Sequence, residues 1–265
     1  MKALSLARKA LKSAAAVTDL VLQAPAGPRV LIYHQVGAGL GRQMEVETHH
    51  FQQQVRWLAA NREVVSLDEA VARWSEDDSD QLVVLTFDDG YKDTYHTAFP
   101  LLEEHRMPFV LYIATEAIEA ATADDTNPDA PLTWSEIEEM MASGLMTPGS
   151  HTHSHVDVRT VLPETLESEL QRSDKLIADR LGVESRHFAY PWGYWSAAAD
   201  PLVEARYETA VLGGSPKPPG RLQKHRINRY PVQLDDGFAF FKARLVGGLR
   251  LEEYLRRRLR GYQGP

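Results

Sequence analysis

Cysteine is absent from the 265 residues. Disulfides and thiolate ligands are therefore excluded, and any metal must be held by histidine and carboxylate side chains. The same absence fits a reducing or an oxidising compartment equally well. Basic charge is also in short supply. Against 37 Asp and Glu stand 29 Lys and Arg, a formal net charge of −8, which argues against the basic face that general nucleic-acid binding needs. Long apolar runs are missing as well. The segment most easily mistaken for one, MKALSLARKALKSAAAVTDLVLQ at Met1–Gln23, is broken by Lys2, Arg8, Lys9, Lys12 and Asp19. That leaves no uninterrupted run of membrane-span length and only a poorly formed apolar core for a signal peptide. Residues 1–28 read instead as a basic amphipathic extension packed on the domain, with contact to a membrane surface as the alternative. A cytoplasmic location follows as the expectation, peripheral to the membrane under that alternative.

What remains has the length of one large α/β domain, here residues 29–265. Short apolar runs bounded by Gly, Pro or polar residues predict strands at Val30–Tyr33, Val83–Phe87, Phe109–Ile113, Met146–Gly149, His187–Tyr190, Thr209–Leu212 and Ile227–Val232, with a shorter one at Glu63–Val65. Helical patterns fall between them. Phe51, Val55 and Leu58 share a face after a Thr48 cap, while Ser66 with Glu69 and Thr133 with Glu136 have capping-box spacing. A longer helix runs from about Pro163 to Leu181 and ends at Gly182, and Leu251–Arg260 reads as a basic terminal helix with a solvated face. Alternating β and α units imply a parallel sheet covered by helices, closed as a barrel or open and doubly wound. The loops Thr115–Leu132 and Gly213–Gly220 are candidate cleft walls.

Two stretches carry the chemistry. In LTFDDGYKDTY, Leu85–Tyr95, a buried strand ends in Asp88 and Asp89, followed by Gly90. Adjacent carboxylates at the end of an apolar strand are costly unless a cation or a proton offsets them. In SHTHSH, Ser150–His155, His151 and His155 lie four apart, a spacing that puts both imidazoles on one side of a helical turn and suits two ligands of one divalent cation. His153 would then point elsewhere. Joined to the Asp-Asp strand end, the pair makes a credible His-His-Asp site with open coordination positions.

TFDDG at Thr86–Gly90 and HTHSH at His151–His155 resemble the first two motifs of the polysaccharide deacetylase family, also called the NodB-homology domain or carbohydrate esterase family 4. FAYPWGYW at Phe188–Trp195 resembles the third, and VLIYHQV near Val30 resembles the first strand of many members. The resemblance implies a distorted, incomplete (β/α) barrel that hydrolyses N-acetyl groups of a glycan or glycoconjugate. It assigns Asp88 as the base acting on metal-activated water, and Asp89, His151 and His155 as ligands of a divalent metal, usually zinc. It further assigns the Trp192 backbone N–H as the oxyanion donor. Aromatic rings suit pyranose faces, so Tyr190, Pro191 and Trp192 are candidates to contact the sugar; the alternative for Tyr190, Trp192, Tyr194 and Trp195 is core or rim packing. The sequence departs from the family twice. Ala189 stands where many members carry an arginine that bonds the catalytic aspartate, and Arg226 or Arg229 is the available replacement or else a structural ion-pair partner. No late Leu-x-His motif supplies a general acid, which leaves His225, His34, or Asp88 itself returning the proton. Two alternatives stand beside deacetylation: hydrolysis of another non-peptide C–N bond, such as deformylation of a glycolipid, and a carbohydrate-binding relative without activity.

Overall fold

The computed structural model describes residues 27–123, 125–214 and 222–246. The expected extension before Gly27, most of the loop Gly213–Gly220 and the terminal helix Leu251–Arg260 lie outside the described residues. Among the described residues ten strands occur, in chain order: β1 Arg29–Tyr33, β2 Gln35–Val36, β3 Glu45–Val46, β4 Glu63–Val64, β5 Leu82–Phe87, β6 Phe109–Ile113, β7 Met146–Ser150, β8 His187–Ala189, β9 Thr209–Val211 and β10 Tyr230–Pro231. The main sheet runs β10-β1-β5-β6-β7-β8-β9 with every pairing parallel, and β4 joins the start of β5. A second small sheet pairs β2 with β3.

Both faces of the curled sheet are apolar, with alternate residues pointing to opposite sides. Leu31, Tyr33, Leu85, Phe87, Phe109 and Leu111 face one way, into a cluster shared with Phe51, Val55 and Leu58 of the helix Thr48–Asn61. Val30, Leu82, Val84, Val110 and Tyr112 face the other, where Ala189, Val211 and Ile227 from the far side of the sheet meet them. A sheet buried on both faces, with helices outside and strand residues filling the centre, is an incomplete (β/α) barrel. One stretch spans the remaining gap: Ile227 bridges Val211 of β9, while Tyr230 and Pro231 pair with Leu31 and Ile32 of β1. The expected strand Ile227–Val232 is thus split between the two edges, with Asn228 and Arg229 crossing from one to the other.

The predicted helices follow their capping chemistry. Thr133 and Glu136 form a reciprocal capping box ahead of Trp134–Ala142, and Ser66 caps Leu67–Ala72. Pro163–Leu181 ends at Gly182, whose φ of 69° is the left-handed conformation that closes helices. One expectation is corrected: the residue capping Thr48–Asn61 is Glu47, and Thr48 is already helical. The pair β2–β3 had no clear sequence signal, being two residues each.

Candidate active site

Side-chain parity along β5 carries inward-facing Leu82, Val84 and Thr86 on to Asp88, just past the strand's C-terminal end. The Asp88 N–H still donates to Tyr33 O at 3.0 Å, so the ladder with β1 holds this residue in place. Its side chain is 4% exposed, and a buried carboxylate requires a partner. Arg229 provides one from the closing segment, donating through Nη1 to Oδ1 at 2.6 Å and through Nη2 to Oδ2 at 2.7 Å. Arg229 is itself fixed by Leu212 O at 2.9 Å and Thr86 Oγ1 at 3.0 Å. Burial would push the Asp88 carboxyl up; the charges of Arg229 and His151 and the Arg229 hydrogen bonds outweigh it and hold it below the usual range. Spacing left Arg226 and Arg229 equivalent, but the structure separates them. Arg226 pairs with Asp200 and lies over Trp195.

Asp89 turns the chain away from the strand at φ 71°, followed by Gly90 at φ 80°. Its Oδ1 lies 3.4 Å from His151 Nε2 and 3.3 Å from His155 Nε2. His151 Nδ1 is 2.7 Å from Ala189 O, and a carbonyl can only accept, so Nδ1 carries a proton, and in the neutral ring that ligates a metal the Nε2 lone pair faces Asp89. Asp89 Oδ1 is buried with no hydrogen-bond partner among the described residues. Acceptors that converge without a donor call for a cation. Separations near 3.3 Å also match the edge of a tetrahedral site with bonds of about 2.0–2.1 Å. The donor set therefore fits a divalent metal of the zinc type. Burial and the neighbouring His151 lower His155 to about 4, so its imidazole is neutral and free to ligate near neutral pH. At His151 the order is reversed: burial lowers its affinity for a proton, but Asp88 and Asp89 outweigh it and raise it. A second group of donors, Glu47, His49 and His50, lies on the surface, and its carboxylate, Glu47, is exposed.

The expected helical turn at His151–His155 is corrected. Residues 151–157 form no helix; Thr152 at φ 64° and His155 at φ 56° bring the two rings to 4.8 Å by left-handed kinks instead. His153 points away and is buried, with Nδ1 2.9 Å from Thr115 Oγ1.

The remaining candidates divide. His34 stands at the end of β1, its Nδ1 buried without a partner; burial lowers its pKa, with Asp89 and Asp88 opposing. His225 is not brought to this rim. Its Nε2 meets Tyr207 O at 2.8 Å, ahead of β9 and so at the opposite ends of the strands. Tyr190 is also withdrawn from any sugar, being fully buried with its hydroxyl donating to Asp200 Oδ1 at 3.2 Å, and Pro191 is buried beside it. Trp192 alone of the three faces solvent, 64% exposed, at φ 61° and with its indole 5.0 Å from the His155 ring. Two further residues had no distinct signal of their own. Asp200 gathers Tyr190, Trp195 Nε1 at 2.7 Å and Arg226, fastening the turn that bears Trp192. Tyr91 borders Asp89, and burial followed by that carboxylate pushes its phenol up to about 12.

A barrel rim that presents a shielded carboxylate beside a candidate cation site belongs to the class of α/β centres that carry their functional residues at strand C-terminal ends. Within that class, the chain belongs to the polysaccharide deacetylase family, which it matches over residues 75–209, a stretch holding Asp88, Asp89, His151, His155 and Trp192. It is 25% identical over 224 residues to YxkH of Bacillus subtilis (strain 168), a protein described by the same family name, covering 82% of this chain and 76% of that one. It is 31% identical over 130 residues to the poly-beta-1,6-N-acetyl-D-glucosamine N-deacetylase of Escherichia coli (strain K12), covering 44% of this chain but 19% of that protein. Among solved structures, IcaB from Ammonifex degensii shares the fold with a TM-score of 0.70 at 23% identity, over 84% of this chain and 98% of that one.

Proposed function

We propose that this protein removes acetyl groups from N-acetylated sugar residues of a glycan or glycoconjugate, with a divalent metal, zinc by its donor types, held by Asp89, His151 and His155. The observation that carries the reading is the meeting of Asp88, clamped by Arg229, with three donors whose shared focus includes an unpartnered buried oxygen. When bound, the metal supplies Lewis-acid polarisation and lowers the pKa of water.

Asp88 accepts the proton of the attacking water at Oδ2, the oxygen that lies 3.8 Å from His151 Nε2 and so faces the donors. Arg229 keeps that carboxylate ionised and fixes its plane. The Trp192 backbone N–H is assigned to the developing oxyanion, and the exposed indole offers an apolar face to a pyranose ring. The leaving amine is assigned a proton from His34, or from Asp88 once it has taken the proton of water. His34 stands within the field of both aspartates, but burial lowers its pKa and so favours its neutral form, which leaves Asp88 the better-supplied donor. The relation to the Escherichia coli protein supports an N-acetylglucosamine polymer as the first substrate to try. A mass-spectrometric screen for loss of acetyl, across N-acetylglucosamine oligomers and lipid-linked N-acetylated sugars, tests this reading. Metal-loaded protein that releases acetate from none of them would sink it. Release of formate alone would favour deformylation.

A cytoplasmic location is part of this proposal, with contact of the N-terminal extension to a membrane surface as its alternative. Among the described residues no helix is long and apolar enough to cross a membrane.

A further inference from the structure

The loop that joins His151 to His155 lacks the hydrogen bonds of a helix, and its two kinks are unfavourable. Left-handed φ angles crowd any side chain with a Cβ, and a β-branched residue such as Thr152 most of all. Something outside the loop must hold it. One side is supplied by the start of the helix Thr115–Glu119, where the Glu116 N–H donates to His153 O at 2.8 Å. The other side is a single carboxylate. Glu169, on the helix Pro163–Leu181, is buried, and both its oxygens turn onto the loop. Oε2 accepts the His153 N–H at 3.1 Å and the Ser154 N–H at 2.7 Å, while Oε1 accepts the Ser154 hydroxyl at 2.9 Å. Consecutive N–H groups that converge beside a left-handed residue form an anion-binding concavity, and here the chain fills it with its own side chain.

We propose that Glu169 is the positioning residue of the metal centre: it fixes the kinked loop so that His155 is already aimed at the Asp89–His151 focus before metal arrives. The proposal rests on the ligand assignment made above. Its logic is that of preorganisation. A loop released from Glu169 relaxes its kinks, the His155 ring swings off the focus, and binding must then re-form the strained turn. A glutamine in its place keeps one oxygen for the two N–H groups and turns its amide toward Ser154 Oγ, so much of the hold survives. An alanine keeps none of it. Groups that orient metal ligands from outside typically change affinity by about 10–100-fold when removed.

The test is a Co²⁺ titration of metal-free protein, read by affinity and by the visible spectrum of bound Co²⁺, alongside thermal unfolding of the metal-free form. The variants are Glu169→Ala, Glu169→Gln and Ser154→Ala. The expected result is a loss of about 10–100-fold in Co²⁺ affinity and an altered spectrum for E169A. E169Q should recover most of both, and S154A should fall between wild type and E169A. A generally weakened fold would lower the unfolding temperature without changing the spectrum of the loaded protein. Wild-type Co²⁺ affinity in E169A overturns the proposal. Where E169A does not fold, S154A decides, because it removes one bond without touching the helix: unchanged affinity and spectrum there overturn the proposal equally. The deacetylase reading fails separately, if wild-type protein binds Co²⁺ yet releases no acetate, and that outcome leaves the Glu169 result standing.

Discussion

The Asp88–Arg229 pair shows how one residue can serve folding and chemistry at once. Removing one member of a buried ion pair typically costs about 3–5 kcal/mol, because the other is left charged and dry. Arg229→Met should therefore lower the unfolding free energy by about that much in denaturant titrations. It should also move the acid limb of the activity–pH profile. Arg229 opposes the upward push of burial on Asp88, so without it the carboxyl rises and the base is lost at a higher pH than in wild type. Asp88→Asn loses the base at nearly the same shape, but it leaves Arg229 charged beside a neutral amide, so it too should lower the unfolding free energy. Turnover should fall by about 10²–10⁴-fold, while metal analysis shows the ion retained. Asp93 presents the opposite case. Burial raises its carboxyl to about 7, with the Val36 backbone opposing and Glu45 and Asp129 adding to the rise. An acid raised in the folded state holds its proton there while the unfolded chain has released it, so stability is lost as pH rises from the ordinary carboxylate range through about 7. Asp93→Asn should be more stable than wild type by roughly 1–3 kcal/mol at pH 8. The gain should vanish toward pH 4; an equal gain at both pH values would refute the burial argument.

At the scale of elements, strands were more legible in the sequence than turns. β5, β6 and β7 stand within a residue of the apolar runs that predict them, since a strand buried on both faces needs little beyond apolar side chains. The turn at His151–His155 was misread because ligand spacing of four is shared by a helix and by a loop with two left-handed residues. Nothing local distinguishes them, and the carboxylate that selects the loop lies on another helix. Tyr190 was misread for a similar reason: an aromatic in a motif can face the substrate or the core, and Asp200, ten residues on, draws it inward. The turn carrying Trp192 depends on a contact the sequence does not advertise. A Cβ on Gly193 would lie 2.3 Å from Gly213 Cα, and φ there is 70°. Backbone meets backbone at that point, so no side-chain motion relieves the clash. Gly193→Ala should reduce activity more than tenfold through displacement of Trp192, an order-of-magnitude expectation for misplaced reacting groups. Steady-state rates paired with unfolding curves would separate this from simple destabilisation.

At the scale of the whole molecule, the centre is assembled from strand ends distant in sequence. Asp89 follows β5, His151 follows β7, and Arg229 arrives from the segment that spans β9 and β1. The parts were legible one at a time, but their meeting was not, because it depends on the curl of the sheet and on a closing stretch whose two halves pair with different edges. A metal held by Asp89, His151 and His155 would tie the β5 end to the β7 end, and a ligand that binds only the folded state stabilises it by mass action. That stabilisation is about 2.7 kcal/mol at a free concentration one hundred times the dissociation constant. Treatment with a chelator should therefore lower the unfolding temperature, and returning Zn²⁺ should restore it in a concentration-dependent way. Asp89→Asn, His151→Ala and His155→Ala should each abolish the Zn²⁺-dependent rise, whereas Asp88→Asn should preserve it, since Asp88 is committed to Arg229 through both oxygens. A rise that survives in all three ligand variants would place the ion elsewhere, with Glu47, His49 and His50 as the next donors to replace.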